Sequence, residues 1–352
     1  MRDQMTPNER LKAIAAGRPY DRIPHAFSEL VWDAAARVNG TTISEFHLEP
    51  KKQVVSTVAF YRKYGLDSVC TFIGVSALFG ATITYPGDTT PYLSGHVKLT
   101  QAEFEKSYLD SPESDPFLSG FWETLDGLYK EAGDEAPVKV MFEGPITAAA
   151  RILGTDVLLK SLIKDPEYTH AVLAKVTETQ LKIVNALSGY EIGFGLLDPI
   201  SSGNMLSRSR YMEFSHTYIK RLFAAMTEAS GKKPMLHICG KTANILEDIA
   251  DTGAGVFSID NEMDISLVKD TIGHDLTVMG NIRPSESMLL GSPADVAADL
   301  KSCLRRAWDT PAGYLPSFGC GLPIDTPQEN IEALFGAYRK YAKYPIDPEI
   351  LI

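Results

Sequence analysis

The sequence predicts an α/β fold: a (β/α)8 TIM barrel with an N-terminal helical extension and an irregular insertion. Three observations carry this expectation. Short apolar runs that read as strands alternate with helical segments through most of the 352 residues. Helical patterns close on glycines, at Gly17, Gly65, Gly231, Gly253 and Gly273. No Gly-x-Gly-x-x-Gly follows any strand, which removes the dinucleotide-binding form of the alternative, an open doubly wound sheet.

The elements follow in order. Residues 6–18 read as a helix, with Thr6 as N-cap, Pro7 at the first helical position and Glu9 completing a capping box. Arg22 to Phe27 is the expected first strand. Residues 50–64 form an amphipathic helix, and Asp67 to Phe72 the second strand. Gly74, Gly80, Pro86, Gly87, Pro91 and Gly95 break every periodicity in 73–110, an excursion over one end of the fold, in the form of a hairpin lid. After a helix at 117–132, Val138 to Pro145 is the third strand, and 146–188 is helical with a break near Asp165-Pro166. Phe194 to Pro199 is the fourth strand and 208–230 a long helix. Met235–Cys239, Val256–Asp260, Leu276–Asn281 and Tyr314–Phe318 complete the eight strands. Helices separate them at 244–252, 265–272 and 293–307, and 327–343 closes the chain.

No composition shift or low-complexity linker divides the chain, so residues 1–352 are expected to form one barrel domain. A hydrophobic fraction of 44% supplies an ordinary core without help from metal or disulfides. The net charge of −11 argues against a phosphate-backbone binder, so no nucleic-acid partner is expected. No window approaches the ~20 apolar residues of a membrane span. The start, Met1-Arg2-Asp3-Gln4-Met5, has no signal-peptide pattern, so the expected location is cytoplasmic. Cys70, Cys239, Cys303 and Cys320 are too few for a disulfide framework, and in a reducing compartment they are free thiols or metal ligands.

The chemistry gathers at Pro234-Met235-Leu236-His237-Ile238-Cys239-Gly240. In a strand, His237 and Cys239 share a face because side chains alternate with period two. Barrels place reactive residues at the C-terminal ends of their strands. The strand-end residues here are His25, Cys70, Glu143, Asp198, His237 with Cys239, Asp260, Asn281 and Cys320, which converge although distant in sequence. Two sulfurs, an imidazole and a carboxylate favour zinc over magnesium or calcium. The expected ligands are His237, Cys239 and Cys320, with Asp260 as a displaceable fourth; Glu262 lies just beyond it. The competing reading is a hydrogen-bonded core histidine beside two small buried thiols. Glu143, Asp198 and Asn281 are expected substrate contacts, or else caps and strand-end hydrogen bonds. Phe72, Phe79 and Tyr85 shape a mouth, or simply pack. Zinc on two thiolates is a weak generator of hydroxide but suited to holding another thiolate, which suggests alkyl transfer to sulfur.

The chain resembles the uroporphyrinogen decarboxylase superfamily along nearly its whole length. The marks are Glu9-Arg10-Leu11, Gly17-Arg18-Pro19, Asp21-Arg22-Ile23-Pro24, Glu143-Gly144-Pro145-Ile146-Thr147, Leu236 to Gly240, Met279-Gly280-Asn281-Ile282, Gly319-Cys320-Gly321-Leu322-Pro323 and Thr326 to Ile331. Within it the chain looks like the zinc-dependent branch typified by methylcobamide:coenzyme M methyltransferases, whose His-x-Cys and distant Cys match His237, Cys239 and Cys320. The resemblance implies a (β/α)8 fold, a zinc site, and a corrinoid (methylcobalamin) as methyl carrier. True decarboxylases carry an Arg-Gln-Ala-Gly-Arg stretch that grips acidic porphyrin side chains, and His25 to Trp32 lacks both arginines.

Three activities are therefore weighed. One is methyl transfer between a corrinoid-binding partner protein and a small molecule, either to a zinc-activated thiol such as coenzyme M or, in the opposite direction, from a methyl donor. The second is metal-free porphyrinogen decarboxylation. The third is a non-catalytic zinc protein that binds and regulates a corrinoid partner. No Asp-x-His-x-x-Gly stretch is present, so a corrinoid is expected to arrive on a partner.

Overall fold

The structure, a computed structural model, describes residues 3–97, Phe104 and 111–352. Seven parallel strands build one sheet: β1 (Val69–Ile73), β4 (Val138–Glu143), β5 (Ile192–Leu197), β6 (Met235–Ile238), β7 (Val256–Ile259), β8 (Thr277–Met279) and β9 (Tyr314–Leu315), neighbours in that order. Helices lie between successive strands, as parallel pairing requires. The strands are apolar on both faces; in β4, Val138, Val140, Met141 and Phe142 are all buried. This is the expected β/α barrel architecture. Among the described residues no helix is long and apolar enough to cross a membrane.

The expected first strand, Arg22 to Phe27, is corrected. Among the described residues its one ladder contact is an isolated bridge from Arg22 to Lys343. The backbone N–H groups of the segment go elsewhere: Ile23 to the Ala342 carbonyl, His25 to the Asp67 carboxylate and Ala26 to the Pro316 carbonyl. Pro24 has no N–H to give. The segment nevertheless makes contact near both edges of the sheet. Ala26 joins it to the chain after β9, and the thiol of Cys70, on β1, donates to the Ser28 carbonyl at 2.9 Å.

The helix starts follow the sequence closely. Thr6 and Ser292 form capping boxes with Glu9 and Asp295, and Gly65 ends the helix Pro50–Tyr64 in the left-handed region at φ 71°. The long segment 146–188 becomes Pro145–Leu153, Thr155–Lys164 and Pro166–Ala186. The segment 208–230 is a helix interrupted by a π-turn at Met212–His216. Two helices the periodicity did not show, Trp32–Val38 and Ile43–Leu48, follow the irregular segment. In the excursion, a 3-10 turn at Val75–Phe79 leads to a hairpin of β2 (Thr82–Thr84) and β3 (Tyr92–Gly95). The rest of that expected excursion, 98–103 and 105–110, lies outside the described residues.

Strand register positions the site. Glu143 on β4 pairs with Leu197 on β5, Leu197 with His237 on β6, and His237 with Ser258 on β7. The C-terminal ends of four adjacent strands are therefore level. His25 is at the opposite end: it binds Asp67, which precedes β1, and is buried in a network with Arg10, Arg22 and Tyr338.

Candidate metal centre

His237 is 3% exposed and its orientation is fixed from behind. The register places Ser258 beside it on the same face, and Nδ1 lies 3.0 Å from Ser258 Oγ. That leaves Nε2 facing the Cys239 Sγ at 3.2 Å. Cys239 follows the end of β6, where Gly240 turns the chain at φ 70°. Cys320 comes from the loop after β9. Gly319 lets that loop approach: a Cβ there would stand 2.4 Å from the Asn261 backbone nitrogen. The two Sγ atoms are 3.5 Å apart, too far for a disulfide, and the three donor atoms lie within 4.8 Å of one another.

The two thiols interact strongly. The hydrogen bond from Cys239, against the cost of burial and with help from His237, pulls Cys320 down to about 4. The same hydrogen bond, with burial, pushes Cys239 up. An imidazole nitrogen and two sulfurs this close together are donor types that zinc takes, with bonds of ~2.0–2.3 Å and ligand–ligand edges accordingly of roughly 3.5–3.8 Å. The donor set therefore fits that metal.

The other expected site residues divide. Asp260 is 8% exposed and stands outside the three-atom group; its Oδ1 accepts from the Glu262 N–H at 2.8 Å, and its charge helps raise Cys239. Glu143 lines the same cavity as the triad and accepts from Ser76 Oγ at 3.2 Å, from the Ser76 N–H and from Arg151 Nη1 at 3.0 Å. Burial pushes its carboxyl upward against those donors. Asp198 is fully buried and does not line the cavity. It accepts from Thr147, Ser201 and Ser215, and burial raises it to about 6 despite them. Asn281 donates to the Asp260 and Met263 carbonyls and faces a separate polar pocket of about 400 Å³. Asp198 and Asn281 thus both make hydrogen bonds within the protein.

The triad opens into a cavity of about 770 Å³. Phe72 and Tyr85 line it as expected, whereas Phe79 is buried in a stack on Phe104. Leu48, Tyr92 and Phe117 also line it and are 57%, 54% and 56% exposed. Trp32, His47, Phe121 and Arg151 line it too, and sequence reasoning missed them. The signal for Arg151 was available: it is the lone charge in the apolar run Ile146 to Leu153.

Residues 6–341 match the uroporphyrinogen decarboxylase (URO-D) family. The methylcobamide:CoM methyltransferase MtaA of Methanosarcina barkeri is 26% identical over 357 residues, covering 96% of this chain and 99% of that protein. Uroporphyrinogen decarboxylase of Trichodesmium erythraeum is 27% identical over 246 residues, covering 67% of this chain and 66% of that protein. A solved structure of a methyltransferase from Methanosarcina mazei matches with a TM-score of 0.81 at 23% identity, covering 96% of this chain and 99% of that one, a likeness of fold.

Proposed function

The chain belongs to the uroporphyrinogen decarboxylase (URO-D) family, and from that premise we propose that it is a zinc-dependent methyltransferase. It moves a methyl group between a corrinoid, carried by a partner protein, and a small-molecule thiol. The carrying observation is the donor set: His237 Nε2 and the Sγ atoms of Cys239 and Cys320, together at the end of a parallel sheet and open to a cavity. When bound there, zinc supplies a site that keeps a substrate thiol deprotonated yet nucleophilic.

The residues of the chain do the rest. Ser258 holds the His237 ring so that Nε2 points at the sulfurs. The apolar walls, including Trp32, Phe72 and Phe121, exclude water from the reacting sulfur. The corrinoid would supply the methyl group and take up the electron pair of its cobalt–carbon bond as the thiol sulfur gains the methyl. The length of the match supports methyl transfer over decarboxylation, because the methyltransferase relative covers 96% of this chain and the decarboxylase 67%. The cavity wall supports it as well. Among the described lining residues Arg151 is the one Lys or Arg, a poor clamp for a polycarboxylate.

The test is methyl transfer from methylcobalamin to thiols by zinc-loaded protein, read as loss of the methylcobalamin spectrum and appearance of the methyl thioether. Activity lost on chelation and restored by zinc supports the reading. Inactivity with every thiol, alongside demethylation of a methyl donor by Co(I) cobalamin, would put the opposite direction in its place.

A further inference from the structure

We propose that the polar pocket beside Asn281 is a second ligand site, separate from the cavity of the metal centre, and that it takes a small zwitterion of the amino-acid class. The pocket, of about 400 Å³, shares no lining residue with the larger cavity. Its walls are the segments that follow β7 and β8 and one face of the helix Pro293–Ala307. It backs onto the metal side of the barrel. Asn281 donates to the Asp260 and Met263 carbonyls, and Asn261 is the residue whose backbone Gly319 approaches beside Cys320. The inference goes beyond the proposed reaction and holds whichever chemistry the metal centre performs.

Charge decides the ligand class. Four charged groups line the pocket, Arg283, Arg306, Asp295 and Asp299, two of each sign. Each is bonded on one side and open on another. Arg283 donates its backbone N–H and Nε to Asp299 Oδ2, at 2.9 and 3.3 Å, and Ser287 Oγ donates to the same oxygen at 2.6 Å. Among the described residues no bond engages Nη1 or Nη2 of Arg283, or Oδ1 of Asp299. Arg306 gives Nη2 to Asp264 and Nε to Ser266 Oγ at 3.2 Å, which leaves Nη1. Ser292 occupies Oδ2 of Asp295 and leaves Oδ1. The charges converge on one thiol. Cys303 is buried, and burial and the charge of Asp299 push it up to about 12, against Arg306 and Arg283.

A simple anion in this pocket would meet Asp295 and Asp299, and a simple cation would meet the two guanidinia. A molecule with both charges satisfies all four. Its carboxylate takes the open guanidinium N–H groups, and its ammonium gives to the open carboxylate oxygens. The apolar lining is confined to Met263, Ala298 and Cys303, which suits a short polar side chain.

The probe is L-serine, titrated calorimetrically into the protein against two analogues that each lack one charge: 3-hydroxypropanoate, without the ammonium, and 2-aminoethanol, without the carboxylate. Wild type should bind serine about tenfold or more tighter than either. Arg283→Gln should weaken serine about tenfold and leave 2-aminoethanol unchanged. Ala298→Phe, at an exposed helix position, fills the pocket without removing a charge and should abolish binding. Circular dichroism checks that each variant is folded, and binding should survive chelation of the metal. Absence of serine binding to wild type overturns the site, as does binding that needs zinc or that persists unchanged in folded Ala298→Phe. An analogue that binds as tightly as serine overturns the zwitterion.

Discussion

Ser258 Oγ lies 3.0 Å from Nδ1 of His237, and the two residues are directly paired across β6 and β7. The contact leaves Nε2 as the nitrogen facing the sulfurs, so the tautomer that can bind a metal is set by a neighbour. Ser258→Ala should weaken zinc binding by roughly tenfold to a hundredfold without unfolding the barrel. Competition with a chromophoric chelator measures this. Unchanged zinc affinity would show that the hydroxyl does not orient the ring.

Cys239 and Cys320 should each be required for metal. The wild-type protein should carry about one zinc per chain. Cys239→Ser and Cys320→Ser should lose it on dialysis while keeping their circular dichroism, since the core does not depend on the metal. Asp260→Ala should retain its zinc, because that carboxylate stands outside the three-atom group and is engaged by the Glu262 N–H. Elemental analysis separates these outcomes. Loss of zinc from Asp260→Ala would make Asp260 a necessary ligand.

At the other end of the barrel, His25 makes stability depend on pH. Burial pushes it down to about 4, against the pull of Asp67. An unfolded histidine titrates at ~6.5, so between about pH 6.5 and 4 the unfolded chain takes up a proton that the folded one refuses. Stability from the neutral ring is complete above that window and declines as pH falls through it, by on the order of 3 kcal/mol. Asp198 acts in the opposite sense: raised to about 6 by burial, it favours the folded state less as pH rises through that value. The informative quantity is therefore the difference between wild type and His25→Gln. Urea unfolding at pH 7 and pH 4.5 should show wild type losing more stability on acidification than the variant. Parallel losses would mean that His25 is protonated in the fold.

The grouping of His237, Cys239 and Cys320 was legible because strand alternation alone puts His237 and Cys239 on one face. The rule that barrel strand ends converge then brings Cys320 to them. The same rule placed Asp198 and Asn281 at strand ends without announcing their contacts. It tells which end of the sheet a residue occupies, not which partners its side chain finds. Asp198 is drawn to hydroxyls of Thr147, Ser201 and Ser215, and Asn281 to two carbonyls. The missing first strand has a comparable cause. The N–H of His25 goes to the Asp67 carboxylate, a contact made by a side chain that no local pattern announces. Arg151 was passed over because an arginine in a helical run ordinarily faces water, whereas this one turns to the buried Glu143.

The central claim is that a zinc ion held by His237, Cys239 and Cys320 takes up a substrate thiol. X-ray absorption at the zinc edge counts sulfur ligands directly. The account predicts two sulfurs in the zinc-loaded protein, rising to three when a thiol substrate is added, with the added Zn–S distance near ~2.3 Å. A shell that stays at two sulfurs in the presence of a thiol that the protein methylates would contradict it.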